Sequence, residues 1–217
     1  SGLPIDVDML RINIFSVIGT HCWRKSPVDA SELVELLRHV TTACFLVIAY
    51  LSGVRTGEAL NLRRGCISRD SNLALTLMSG QQLKAEGSCR DRSPATIPWV
   101  VTDETAHAVS ILEQITVSDL LFPGFKLLSE AQFRFGATRT RTPGSINTDI
   151  TSFIEWFNRE VAPAISHPQI GADPHGKIQV PRLRRTLAWH IVRRPGGTIA
   201  GATQYGHLHP QMIQGYA

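Results

Sequence analysis

From Ala43 to Leu51 the sequence reads Ala-Cys-Phe-Leu-Val-Ile-Ala-Tyr-Leu, which is apolar on nearly every side of a helix. A helix without a polar face has to be enclosed by other elements. This segment is therefore expected to be the buried central helix of a globular domain. Asp29 or Ser31 can cap a longer helix that contains it. Gly53 can stop that helix, because glycine adopts the left-handed cap conformation at little cost. The apolar run is about half of the ~20 residues that span a bilayer, so a core helix is expected rather than a membrane span.

Around this helix the patterning predicts a mainly α, α+β fold: a helical bundle with a small antiparallel β-sheet on one edge. Asp6 to Trp23 has Leu10, Ile14, Val17 and Ile18 at helical spacing, which predicts an opening helix. Leu73, Leu75 and Leu77 alternate with other residues, and Ala95 to Val101 is a second short run, so two strands with a turn-rich connection are expected. Asp103 is placed to cap a helix to Ile115, and Leu120 to Phe122 reads as a further short strand. Leu127 to Ser145 is polar and rich in Gly, Arg and Thr, the composition of a loop. Ile146 to Val161 reads as a helix with Ile150, Phe153, Ile154 and Phe157 inward. Pro163, Pro168 and Pro174 mark a connection. Pro181 suits the first turn of the next helix, which is expected to end near Pro195-Gly196-Gly197. Two short helices should follow, from Thr198 to Tyr205 and from Pro210 to Tyr216. No internal repeat or low-complexity tract is visible, and residues 1–217 are expected to form one domain.

The charge balance is mildly basic, with 22 Lys and Arg against 18 Asp and Glu, a net charge of +4. That permits a nucleic-acid partner without demanding one. The distribution is more informative. Basic residues cluster at Arg134, Arg139 and Arg141, at Arg182 to Arg185, and at Arg193-Arg194. Cys22, Cys44, Cys66 and Cys89 form no C-x-x-C pair, so neither a zinc site nor a disulfide framework is signalled. Reduced, structural thiols are the expectation. Ser1-Gly2-Leu3-Pro4-Ile5-Asp6 has no basic signal-like region, and a cytoplasmic location without a membrane partner is expected.

Two stretches carry chemistry. One is Ser52-Gly53-Val54-Arg55-Thr56-Gly57-Glu58; the other runs from Arg182-Leu183-Arg184-Arg185-Thr186 through Gly206-His207 to Tyr216. Together they hold the groups needed to attack a phosphodiester without a metal. Two arginines can clamp the non-bridging oxygens, because the guanidinium fork matches them and stays charged. A lysine or histidine can deliver a proton to the leaving oxygen. A tyrosine hydroxyl can attack. Removing one such charge-stabilising donor typically lowers the rate by ~10²–10³-fold.

These residues resemble the catalytic domain of the tyrosine recombinase, or phage integrase, family. Arg55, in Gly53-Val54-Arg55-Thr56-Gly57-Glu58-Ala59-Leu60-Asn61-Leu62, is similar to the family's G-x-R-x-G-E segment. Glu58, three residues on, can orient its guanidinium. Arg184 matches the second arginine in an L-R-x-T setting, with Arg185 as the competing choice. His207 matches the family's G-H, and Tyr216, nine positions later, falls where the nucleophile does. Tyr205 precedes Gly-His and is not the nucleophile. The resemblance places the family's lysine at Lys84, in the hairpin region Gly80 to Gly87. Arg90, Arg92, Arg139 and Arg141 are expected DNA contacts, with Arg182 and Arg185 supporting the site. No metal or other cofactor is implied, since the covalent link conserves bond energy.

The resemblance implies double-stranded DNA as partner, a tetramer on DNA in the full-length protein, and action on bacterial, nucleoid-associated DNA. It also implies a helical DNA-clamping domain before this one and a tail after the tyrosine, so the chain is expected to be the catalytic part of a longer protein. One position departs. Pro181 stands where the family usually has histidine, and proline can neither accept nor donate a proton. Arg182, His175 or no residue at all could fill that role. The departure keeps a second reading in view: a non-catalytic DNA-binding module that retains the recombinase fold.

Overall fold

The structure is a computed structural model that describes residues 16–18, 20–24, 26–81, 96–124 and 140–205. The chain forms two compact units, one from residues 1–42 and 148–178, the other from 43–147 and 179–217.

Among the described residues the first unit begins with a hairpin, where the patterning predicts the last part of a helix. Strands β1 (Ser16–Ile18) and β2 (His21–Arg24) pair antiparallel, with Ile18 opposite His21 and Val17 opposite Cys22. The apolar spacing that suggested a helix over residues 6–23 is real, but β-branched and aromatic residues here favour the pleated, half-buried surface. The start of that predicted helix, up to residue 15, lies outside the described residues. Helix α1 (Ala30–Ser52) follows directly after Asp29. The Asp29 N–H donates to Glu32 Oε2 at 3.0 Å, and Leu33 N–H donates to Asp29 O, which together close the first turn. Helix α4 (Pro143–Trp156) runs into a π-helical turn, Phe157–Val161, and then the short α5 (Ala162–Ala164). Asn158 in the π turn exchanges two hydrogen bonds with the backbone of Ile170, at 2.7 and 2.9 Å, and so fastens the irregular segment after α5.

The second unit is built on the apolar half of α1. Cys44, Phe45, Ile48 and Ala49 are buried there, and Phe45 meets Phe122 edge to face, with ring centroids 5.4 Å apart. By length and composition α1 could cross a membrane, but those buried side chains make it a core helix. Gly53 ends it as expected, with φ +67° and its N–H on Ala49 O. After α2 (Thr56–Leu60) come β3 (Ile67–Asp70), β4 (Leu75–Gln81) and β5 (Thr96–Val101), in a three-stranded antiparallel sheet of order β3-β4-β5. Leu73 is not in a strand: it sits exposed in the turn 71–74, held by Asp70 Oδ1, which accepts from Asn72 and Leu73 N–H. Met78 pairs with Ile67 on one side and Trp99 on the other, and Met78 and Trp99 are buried.

Helix α3 (Asp103–Ile115) has the predicted span, but its cap is Thr102, whose hydroxyl accepts from Thr105 N–H, rather than Asp103. Residues 120–123 contribute single bridges, Arg63 to Leu120 and Pro123 to Thr140, in place of a strand. Helix α6 (Val180–Val192) carries Pro181 in its first turn, and α7 (Gly197–Tyr205) closes the described chain. The turn between them requires glycine. A Cβ at Gly197 would lie 1.9 Å from the carbonyl oxygen of Ile191, so no larger residue allows α7 to start so close to α6. The overall composition is mainly helical with a small antiparallel sheet, as the patterning predicts.

Candidate active site

Within the second unit, residues 52–58 and the described part of the second segment, residues 182–205, meet at the end of α1. Arg55 sits at the N-cap of α2 in extended conformation, two residues after the glycine that ends α1. Glu58, one turn into α2, accepts from the Arg55 backbone N–H at 3.0 Å and from its Nη1 at 3.1 Å. Glu58 is buried and Arg55 is partly exposed. The carboxylate therefore holds the guanidinium from below and leaves part of it facing out. A buried carboxylate is tolerated only when paired, and both Glu58 oxygens are engaged by one residue.

Arg184 projects from the second turn of α6 and is 9% exposed. Its Nη1 donates to Gly53 O, its Nη2 to Tyr205 O at 3.5 Å, and its guanidinium carbon lies 4.1 Å from the centre of the Tyr205 ring. The Tyr205 hydroxyl donates back to Arg184 O at 2.8 Å. Gly53 is two residues before Arg55, so the loop that presents the first arginine is bonded directly to the second. The same loop is stiffened from within: Ser52 Oγ accepts from Val54 N–H at 3.2 Å. Gln204 ties it to α7 and the sheet, its Nε2 donating to both Ser52 O and Val100 O at 2.9 Å.

Tyr205, Gln204 and Gly53 in its packing role are what the sequence reading missed. Tyr205 was weighed only as a nucleophile. The available signal was one bulky aromatic at the end of a helix otherwise built of Gly, Ala, Thr, Ile and Gln.

The supporting residues fall differently. Arg182 is half-buried and lies in the first turn of α6, where its N–H bonds Gln179 O. Arg185 is exposed. Pro181, in the place of the family's histidine, is exposed as well, one residue after Val180, whose N–H reaches Asn147 Oδ1 at 3.4 Å. Arg141, expected as a DNA contact, is buried instead, at 4% exposure, with its N–H on Phe122 O. Lys84, Arg90 and Arg92 belong to the connection that joins Gln81 to Thr96, the paired ends of β4 and β5. They lie outside the described residues, as do Arg139, His207 and Tyr216.

Solved structures share this architecture. The crystal structure of XerH site-specific recombinase bound to difH substrate, a pre-cleavage complex, aligns with 87% of this chain and 49% of its own, with a TM-score of 0.50 and 13% identity. XerH bound to palindromic difH substrate, a post-cleavage complex, gives a TM-score of 0.50 at 12% identity, over 87% of this chain and 48% of its own. The fold is that of a tyrosine-recombinase catalytic domain. The chain spans about half the length of the solved chains on which that assignment rests. No protein-family model matches the sequence, and no curated protein matches it.

Proposed function

We propose that residues 1–217 are the catalytic domain of a site-specific DNA recombinase or integrase that works by metal-free transesterification. The observation that carries this reading is the bond from Arg184, on α6, to Gly53 O, in the short loop that leads to Arg55, within a recombinase fold. Arg55 and Arg184 bind the non-bridging oxygens of the scissile phosphate and stabilise the charge that builds on phosphorus. The Tyr216 hydroxyl gives up its proton to water, its oxygen attacks phosphorus, the bond from phosphorus to the 5′-oxygen breaks, and a 3′-phosphotyrosyl link forms. Lys84 or His207 supplies the proton that the departing 5′-oxygen takes up. A 5′-hydroxyl from a partner strand reverses the step. Double-stranded DNA is the partner, a tetramer on DNA is the working assembly of the full-length protein, and bacterial cytoplasm is the setting.

Pro181 favours a second reading, a DNA-binding module without catalysis, because an exposed proline in the first turn of α6 removes a proton-transfer group usual in the family. One assay separates the two. The protein is incubated with nicked duplexes made from the sequences flanking its gene, denatured, digested and mapped by mass spectrometry. A nucleotide adduct on Tyr216, absent from Tyr216→Phe, is the result expected. Salt-sensitive binding with no adduct would establish the non-catalytic module.

A further inference from the structure

We propose that Tyr205 is a positioning residue that holds Arg184 in its working orientation. Its effect on rate rests on the transesterification reading above, whereas its effect on Arg184 does not.

Arginine is a long side chain with several rotatable bonds, and a phosphate clamp needs its donors fixed in direction. A misplacement of about 1 Å can lower a rate by about 10²-fold. Tyr205 constrains Arg184 in three ways. Its ring lies under the guanidinium at 4.1 Å, where the negative face of the ring attracts the charge. Its carbonyl accepts from Nη2. Its hydroxyl bonds the backbone oxygen of Arg184 at 2.8 Å, so the ring is tied to the residue it supports. Leucine would supply none of these side-chain contacts, and phenylalanine only the ring.

The ring is itself fixed. Tyr205 is 1% exposed and packs with Ala188 and Ala202, with Ile191 and Val192 beside them. Its position also fixes what may stand at residue 53, because the hydroxyl and ring carbons lie 2.6–3.0 Å from where a Cβ on Gly53 would be. One aromatic side chain thus sets the second arginine and the loop that leads to the first.

The test compares wild type with Tyr205→Phe and Tyr205→Leu, each carrying ¹⁵N-labelled arginine. The Arg184 Nε–H signal, assigned by its loss in Arg184→Lys, is expected to be shifted upfield by the ring. The shift should persist in Tyr205→Phe and vanish in Tyr205→Leu. Single-turnover cleavage of the nicked duplexes at saturating DNA should fall about 10²-fold in Tyr205→Leu, less in Tyr205→Phe, with DNA affinity unchanged in both. A purely structural role would instead lower the folded fraction and leave the rate per folded molecule alone. An Arg184 signal indifferent to Tyr205→Leu, or a folded Tyr205→Leu protein that cleaves at the wild-type rate, would overturn the proposal. If wild type itself forms no adduct, the transesterification reading falls, and the Arg184 signals alone decide the positioning.

Discussion

The ring of Tyr205 fills the place where residue 53 would carry a side chain: a Cβ there would lie 2.6 Å from the hydroxyl oxygen and 2.7 Å from Cζ. Gly53 also has φ +67°. Gly53→Ala would therefore cost about 1–2 kcal/mol in backbone strain, and about 1–3 kcal/mol more from overpacking. Urea unfolding should show the midpoint falling with the slope unchanged. A fall no larger than the strain alone would mean that Tyr205 can withdraw from residue 53 without loss.

Arg184→Lys keeps the charge but loses the fork. A lysine ammonium cannot bond Gly53 O and Tyr205 O together while leaving planar donors for a phosphate. The rate of covalent adduct formation should fall by about 10²-fold or more, whereas DNA affinity, shared among many phosphates, should change little. Quench-flow cleavage and fluorescence anisotropy separate the two quantities. Equal losses in both would assign Arg184 to binding rather than to the transition state.

How much of this was legible in the sequence depended on the range of the interaction. The apolar run from Ala43 to Leu51 identified the core of α1, and Gly53 its end, because both follow from local patterning. Arg55 and Glu58 are three residues apart, so their pairing could be read from spacing. The hairpin at Ser16 to Arg24 could not, since Leu10, Ile14, Val17 and Ile18 fit a helical face and only cross-strand pairing decides the matter. Tyr205 and Gly53 are separated by most of the domain, and nothing local to either shows that they touch. Arg141 looked like a surface base because its neighbours are polar, whereas it is buried, with its N–H on Phe122 O, a partner 19 positions away that no local pattern shows.

Cys44 and Cys66 should be inert thiols. Burial pushes both up to about 11, with the Glu113 carboxylate adding to the effect at Cys66. At pH 8 only about a thousandth of either would be thiolate, the reactive form. Cys22 is exposed. In a Cys89→Ser background, iodoacetamide at pH 8 should label Cys22 within minutes, and Cys44 and Cys66 only after urea is added. Peptide mapping reads this directly, and early labelling of Cys44 would show that α1 opens locally.

His39 makes the stability of the first unit depend on pH. It is 1% exposed and stacked on Trp156 with ring centroids 4.5 Å apart. Burial lowers its pKa from the usual value, and Arg38 lowers it further. Glu35, 3.6 Å from Nε2, and Asp149 oppose the shift without cancelling it. The neutral ring is the form that the fold accepts. Above the unfolded pKa of about 6.5 neither state is protonated, and the full stability is present. Below it the unfolded chain takes up a proton that the folded chain refuses, so stability falls as pH drops toward the lowered folded value, by at most about 1.4 kcal/mol per pH unit. Urea midpoints at pH 7.5 and 5.5 should therefore differ more for wild type than for His39→Phe, which keeps an aromatic ring against Trp156 and removes the titration. The same difference in both proteins would assign the acid sensitivity to another group.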